Sequence, residues 1–177
     1  MAFHDELSDQ LIQFIGEQKI YFTATAPDSG RINLSPKGMD TFRCFGNRLV
    51  GYLDLTGSGN ETAAHIAQNG RMTLMFCSFG EKPLILRLYG RGEIAPRDSP
   101  RWNELIDHFP RLSGERQLIL LHVDSVQTSC GFAVPVYDFV AERRTLVEWA
   151  EKKGAAGLEA YRREKNAQSI DGVPLKL

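Results

Sequence analysis

The 177-residue sequence predicts a mainly β fold with peripheral helices, built as an antiparallel barrel. Two observations lead to this fold class. Six or more segments have the composition of strands, and turns of hairpin length join most of them. Helix-like segments stand at the start, in the middle and at the end of the chain. This order differs from the strand–helix–strand alternation of a doubly wound parallel sheet.

The first third of the chain supplies a helix, a hairpin and two short strands. Residues 4–18 place their leucines and isoleucines on one side of a helix. Residues 19–38 predict a β-hairpin, because two strand-like arms flank the turn Pro-Asp-Ser-Gly. Residues 41–55 predict two further strands separated by Gly46 and Asn47.

The rest of the chain continues the sheet and then adds a helical extension. The predicted elements are a helix over 61–69 closed by Gly70, strands over 71–79 and 82–95, a helix over 99–109, a strand over 116–130, and a helix over 140–166 interrupted at Gly154. We expect one domain over 1–177, with the barrel at roughly 19–130 and the helical extension at roughly 139–167.

Composition excludes several classes of function. The chain is 42% hydrophobic and 24% charged with a net charge of −1, so no basic excess points to nucleic acid. No apolar run approaches the length of a membrane span, and the N-terminus lacks a signal-peptide pattern. No two of the four histidines stand at metal-ligand spacing, and the three cysteines form no CxxC pair. We expect a soluble cytoplasmic protein without a metal site.

The junction Thr-Gly-Ser-Gly-Asn-Glu-Thr at 56–62 is the first candidate site, because it joins a strand to a helix through two glycines. Ser58 and Glu61 have the spacing of a capping box, which is a purely structural explanation. The alternative is an anion site, since a helix N-terminus carries partial positive charge and Asn60 and Thr62 add neutral donors.

Two cations on other predicted strands form a second polar cluster. Lys37 stands where the second arm of the hairpin ends, and Arg87 alternates with the leucines of its strand and so faces the other side. Arg87 is either exposed to solvent or lines a ligand groove. Together with the 57–62 junction, the two cations could converge on one phosphate.

Four of these elements resemble the split-barrel flavoproteins related to pyridoxamine 5'-phosphate oxidase. They are the N-terminal helix, the hairpin with its Ser-Pro-Lys-Gly end, the strand-turn-helix of residues 52–76 and the strand of residues 84–93. The resemblance covers roughly residues 4–95, more weakly 117–128, and points to an uncharacterised branch. It implies a six-stranded antiparallel split β-barrel of FMN-binding type, forming a homodimer with the cofactor at the subunit interface.

The resemblance also implies which residues hold FMN, with the phosphate at the start of the second helix. These residues are Ile32, Asn33, Leu34, Ser35, Lys37, Tyr52, Leu53, Asn60, Glu61 and Thr62, to which we add Arg87.

The sequence departs from the oxidase at two places. The oxidase has Ser-Arg-Lys where this chain has Asn60-Glu61-Thr62, so compensation would come from Arg87, Arg43 or Arg48, or from a capping role that turns Glu61 away. The chain also lacks the C-terminal Arg-x-His that the oxidase uses for its substrate. We therefore do not expect pyridoxamine phosphate as the substrate.

The expected function is that of an FMN-dependent oxidoreductase acting on an unidentified small molecule. On the substrate side, Cys130, Phe132 and Tyr137 either face the flavin or simply pack at a strand exit. Two alternatives keep the fold: deazaflavin or haem in place of FMN, with His65, His108 or His122 as the axial ligand of haem, or a non-catalytic cofactor-binding sensor.

Overall fold

Eight strands and four helices make up the computed structural model, which describes residues 1–175. In chain order the elements are β1 (Ala2–His4), α1 (Asp9–Glu17), β2 (Tyr21–Thr25), β3 (Asn33–Lys37), β4 (Phe42–Cys44), β5 (Leu49–Leu55), α2 (Glu61–Asn69), β6 (Arg71–Cys77), β7 (Ile85–Pro96), α3 (Pro100–Leu105), a 3₁₀ turn (Ile106–His108), β8 (Glu115–Ser129) and α4 (Thr145–Lys165).

All eight strands belong to one curled antiparallel sheet. The strand order is β3-β2-β6-β7-β8-β5-β4, with β1 added beside β8, and the sheet is open between its end strands β3 and β4. The predicted mainly β class and split-barrel architecture are confirmed. The strand count is eight where the resemblance implied six. The difference includes the three-residue strand β1, which the sequence did not predict.

Strand β8 is the longest strand, and it organises the sheet. All of β7 pairs with β8. The first half of β8 also pairs with β5, and residues near the end of β8 pair with β1. A register shift interrupts the β5–β8 ladder: Asp54 lies opposite Gln117, but Leu55 lies opposite Glu115. Arg116 is therefore the extra residue of a β-bulge, and a bulge redirects the side chains around it.

Two apolar clusters bury both faces of β5 and β8. Tyr52 and Ile119 belong to the first cluster, while Leu53 and Leu118 belong to the second, which helix α3 covers with Trp102. Burial on both faces explains why β8 reads as a nearly continuous apolar run, since alternate residues enter different cores. Each fully buried leucine contributes about 1.5–3 kcal/mol to this packing.

Several predicted boundaries were wrong by a few residues. Helix α1 begins at Asp9 because the Ser8 side chain accepts from Leu11 N–H and caps it, and residues 2–4 pair with β8 instead. The predicted strand 71–79 stops at Cys77, and the predicted helix 99–109 gives way after Leu105 to a 3₁₀ turn.

The C-terminal helical extension has the break that the sequence predicted. Helix α4 starts at Thr145 rather than at residue 140, and Gly154 interrupts it with φ of 67°. Among the described residues, no helix combines the length and apolar character needed to cross a membrane.

Candidate functional site

A cleft of about 390 Å³ opens between edge strand β3 and the end of strand β5, at the start of helix α2. Seven of the predicted cofactor residues line it together: Asn33, Ser35, Lys37, Leu53, Asn60, Glu61 and Thr62. The hairpin end and the glycine junction, which are about 20 residues apart in the chain, therefore face one cavity, as the sequence predicted.

The other predicted cofactor residues lie outside the walls of this cleft. Ile32, just before β3, and Leu34, within it, project into solvent and border a neighbouring groove. Tyr52 is fully buried, with the Lys37 ammonium 5.4 Å from the centre of its ring. Arg87 lies on β7, where its guanidinium donates to Ser129 Oγ at 3.3 Å. The structure does not bring Arg87 to the cleft of its own chain.

The carboxylate of Asp54 lies at the base of the cleft and binds the cationic side chains there. Asp54 was not among the predicted site residues. Its side chain is buried, and Lys37 Nζ lies 3.1 Å from its Oδ1. Arg116 Nη2 and Gln117 Nε2 donate to its Oδ2 at 2.7 Å and 2.9 Å. Charge-assisted bonds of this kind are what a buried carboxylate requires.

Electrostatics keeps this cluster ionised. Burial acts to raise the pKa of Asp54, but the charges of Arg116 and Lys37 and the hydrogen bonds from Arg116 and Gln117 outweigh it and hold the pKa far below its ordinary value. Burial acts to lower the pKa of Lys37, and the charge of Asp54 more than offsets it, so the pKa of Lys37 is raised. The cluster therefore carries two cations and one anion.

The glycine turn, residues 57–60, rests on this buried cluster. Arg116 Nη1 donates to Gly59 O at 3.1 Å and to Asn166 Oδ1 at 2.8 Å. Gln117 Nε2 also donates to Asn60 Oδ1 at 2.9 Å. The bulge lets the adjacent residues Arg116 and Gln117 both reach Asp54, which a regular strand would prevent by pointing them to opposite faces.

Packing does not require the glycines of this turn. A Cβ built on Gly57 would meet nothing within 4 Å, and one on Gly59 would meet only the Glu61 side chain, at 3.7 Å. Neither residue is among those with positive φ. Among residues 1–175, no acceptor receives a hydrogen bond from the N–H groups of residues 57–62. The turn thus presents open backbone donors beside the cleft.

The capping box that the sequence suggested does not form. The N-cap of α2 is Asn60, without a side-chain capping bond. Glu61 turns instead to the C-terminal segment, where its Oε1 accepts from Ile170 N–H at 2.9 Å, and its Oε2 lies 3.9 Å from His65 Nε2. Glu61 Oε2 is buried without a hydrogen-bond partner in the described chain.

A polar chain runs from the cleft to His65 beneath helix α2. Asn33 Nδ2 donates to Thr62 Oγ1 at 3.2 Å and to Thr25 Oγ1 at 3.5 Å, and Thr25 Oγ1 lies 3.0 Å from His65 Nδ1. His65 is buried behind the cleft wall rather than within it, and neither His108 nor His122 lines the cleft.

The arginines considered as compensation are engaged elsewhere. Arg43 contacts Asp40 and the carbonyl oxygen of His108, and Arg48 pairs with Glu6. Arg116 lines the cleft instead, with its guanidinium bonded to Asp54, Gly59 O and Asn166. The sequence did carry a signal for Asp54: an acidic residue inside the strand Leu-Val-Gly-Tyr-Leu-Asp-Leu is buried only when it is paired.

The substrate-side candidates lie beyond the end of β8, away from this cleft. Cys130 and Phe132 are exposed, and Tyr137 stacks on Phe79 with ring centres 5.6 Å apart. Within residues 1–175, no cluster of three or more His, Cys, Asp or Glu side chains is placed to hold a metal ion.

Comparison with known proteins shows where the chain belongs. Residues 7–130 match the pyridoxamine 5'-phosphate oxidase family. The Aspergillus flavus protein ustO, described as a pyridoxamine 5'-phosphate oxidase family protein, is 37% identical over 190 residues, covering 97% of this chain and 76% of ustO.

Two crystal structures show the fold at lower identity. HupZ from Group A Streptococcus is 18% identical, with a TM-score of 0.55 over 75% of this chain and 99% of HupZ. A FAD-binding protein from Mesorhizobium loti is 15% identical, with a TM-score of 0.51 over 72% of this chain and 97% of that protein. The family match, the ustO relationship and the split-barrel sheet agree: this chain belongs to the pyridoxamine 5'-phosphate oxidase family.

Proposed function

We propose that the protein binds FMN in the cleft between β3 and α2 and acts as a flavin-dependent oxidoreductase on a small molecule. The observation that carries the proposal lies in the glycine turn and the first two residues of α2. The six consecutive backbone N–H groups of residues 57–62 have no acceptor in the described chain, and these residues border the cleft. Donors of this kind at a helix N-terminus suit a phosphate.

The size and the donor set of the cleft fit this cofactor. Its volume of about 390 Å³ falls in the range of about 300–1,000 Å³ that is usual for small-molecule sites. Lys37 Nζ is bound by Asp54 on one side, which leaves further N–H donors for a ligand. The glycines add no side chain that would block a ligand from the backbone.

Charge is the weaker part of the fit. Lys37 and Arg116 supply two positive charges at the cleft, and Asp54 and Glu61 supply two negative ones. A phosphate of about −1.5 to −2 charge therefore relies on backbone donors and the helix dipole, because these four charges sum to zero. We expect FMN affinity to be lower than a cleft with additional arginines would give.

A bound flavin supplies hydride or electron transfer, so the polypeptide contributes binding, orientation and electrostatics. Lys37 orients the ligand at the β3 wall, and Asp54 keeps Lys37 fixed and charged. The turn at 57–62 holds the anionic end. The cleft needs no acid–base pair of its own for this role.

We also propose that a second copy of the chain completes the site. Large apolar side chains are exposed to solvent at and just before edge strand β3, on Leu34 and Ile32, and beyond β8, on Phe132 and Val140. Covering them with a second subunit would remove this surface from water and bring new residues near the cleft. Sedimentation equilibrium that gives only monomer at micromolar concentration would contradict this assembly.

The test of the proposed function is a titration of the purified protein with FMN, followed by desalting and an absorption spectrum. We expect retained flavin bands. Bleaching of these bands by NADH or NADPH under anaerobic conditions would distinguish a redox enzyme from a binding protein.

In Lys37→Ala we expect flavin retention to fall by about tenfold, the equivalent of one charge-assisted bond. Lys82→Ala, an exposed lysine in the β6–β7 turn, is the matched control. A wild-type protein that releases all FMN on desalting contradicts the proposal.

A further inference from the structure

The segment that follows helix α4 contacts two parts of the cleft wall and the chain just before β3. We define the C-terminal clasp as residues 166–171. It lies outside the stretch that matches the family, residues 7–130. Within it, Asn166 reaches the glycine turn, Ile170 reaches the start of α2, and Asp171 reaches the arm before β3.

Asn166 makes the central contact of the clasp. It is fully buried; its Nδ2 donates to Gly57 O at 3.2 Å and its Oδ1 accepts from Arg116 Nη1 at 2.8 Å. A buried side-chain amide with both ends bonded is held in one orientation. Asn166 therefore connects the buried Asp54–Arg116 pair to the first residue of the glycine turn.

The other clasp contacts hold the chain just before β3 and the start of α2. The backbone N–H of Arg31 donates to Asp171 Oδ2 at 2.7 Å, and the Arg31 guanidinium pairs with Asp171 Oδ1. A Cβ on Gly30 would come within 2.7 Å of Asp171 Oδ2, so the hairpin turn must be bare backbone where the clasp meets it. Ile170 N–H holds the Glu61 carboxylate.

Peptide geometry links these contacts to the open donors. In a trans peptide, the C=O of one residue and the N–H of the next point in opposite directions. Asn166 fixes Gly57 O and Arg116 fixes Gly59 O, so the N–H groups of Ser58 and Asn60 are directed away from the groups that anchor the turn.

We propose that the C-terminal clasp positions the glycine turn for the phosphate of the ligand, with Asn166 as the positioning residue. This inference rests on the phosphate site of the proposed function. Without Asn166, Gly57 O loses its partner, the turn gains conformational freedom, and its N–H groups no longer converge in advance on one anion.

The experiment compares Asn166→Ala with Asn103→Ala, an exposed asparagine on α3 whose side chain makes no hydrogen bond in the described chain. FMN and riboflavin, which differ by the phosphate, are titrated against each variant by flavin fluorescence. We expect Asn166→Ala to bind FMN about tenfold more weakly while riboflavin affinity stays within about twofold. Equal losses for both ligands, or an FMN affinity like that of Asn103→Ala, would overturn the inference.

Amide hydrogen exchange of the cofactor-free protein provides a readout that does not depend on FMN. Asn166→Ala should exchange faster than wild type at the two hydrogen-bonded amides that flank the turn, Thr56 and Ala64, and at the wild-type rate in β7. If Asn166→Ala does not fold, Asn166→Asp is the variant to compare, since it keeps the acceptor for Arg116 and loses the donor to Gly57 O. Wild-type exchange at Thr56 and Ala64 in that variant would overturn the clasp, whereas failure of wild type to bind FMN, with faster exchange still seen in the variant, would contradict the phosphate site and leave the contact between clasp and turn standing.

Discussion

Lys37 Nζ lies 3.1 Å from Asp54 Oδ1, and this ion pair joins edge strand β3 to strand β5 across the open side of the sheet. No backbone ladder joins these two strands in the described part of the chain. The ion pair places two charged side chains at the base of the candidate cofactor cleft. The same contact therefore serves the fold and the site.

Asp54→Asn should destabilise the protein by about 3 kcal/mol. The substitution keeps the shape but leaves Lys37 and Arg116 without their buried counter-charge, and breaking a buried pair from one side usually costs about 3–5 kcal/mol. Urea unfolding measures the change. Asp124→Asn, an exposed position on β8, should stay within about 0.5 kcal/mol of wild type. Similar stabilities for the two variants would show that the cluster is not stabilising.

Acid should remove this contribution of Asp54 to stability. The pKa of Asp54 in the fold lies below its ordinary value of 3.8, so the unfolded state binds the proton more readily. The contribution is fully present above pH values near 4 and is lost as the pH falls further toward the folded pKa. Melting temperatures measured from pH 6 to pH 2.5 should fall more steeply for wild type than for Asp54→Asn. Parallel curves would contradict this assignment.

Much of the cleft could be predicted from sequence because its walls are local patterns. The hairpin end at Lys37 and the strand–glycine–helix junction at 56–62 are both visible in short windows, and the structure places them on one cavity. The helix break at Gly154 is equally local, since glycine alone tolerates its φ of 67° without strain.

The parts that escaped prediction depend on distant residues. Arg116 reaches Asp54 across 62 positions through a bulge, and Asn166 reaches Gly57 across 109. No window of sequence reveals a bulge or a tail contact. The capping-box hypothesis for Glu61 was wrong for the same reason: the Ile170 N–H competes for that carboxylate from the far end of the chain.

Two glycines should respond oppositely to alanine. At Gly90 a Cβ would stand 1.9 Å from His122 O, so the backbone of β7 or β8 must move, and we expect a loss of about 3 kcal/mol or more. At Gly57 a Cβ meets nothing within 4 Å, and we expect stability within about 0.5 kcal/mol of wild type.

Because the new methyl would line the cleft, Gly57→Ala should weaken FMN binding by about tenfold. Chemical unfolding and FMN titration separate the two effects, and unchanged FMN affinity in Gly57→Ala would remove the turn from the binding site.

Glu61→Gln should strengthen FMN binding. Glu61 lines the cleft at the start of α2, where its negative charge opposes a phosphate, and glutamine can still accept from Ile170 N–H. Removing one like charge from a largely buried site gains about 1 kcal/mol, which is about a fivefold tighter FMN affinity. Riboflavin lacks the phosphate, so its affinity should not change. Glu81→Gln in the exposed β6–β7 turn should leave the affinity for both ligands unchanged.

The gain in FMN affinity should shrink as salt is raised from about 0.05 M to 0.5 M, because screening weakens the repulsion that the variant removes. A loss of FMN affinity in Glu61→Gln would mean that the carboxylate itself holds the ligand, and the phosphate would then have to lie away from the start of α2.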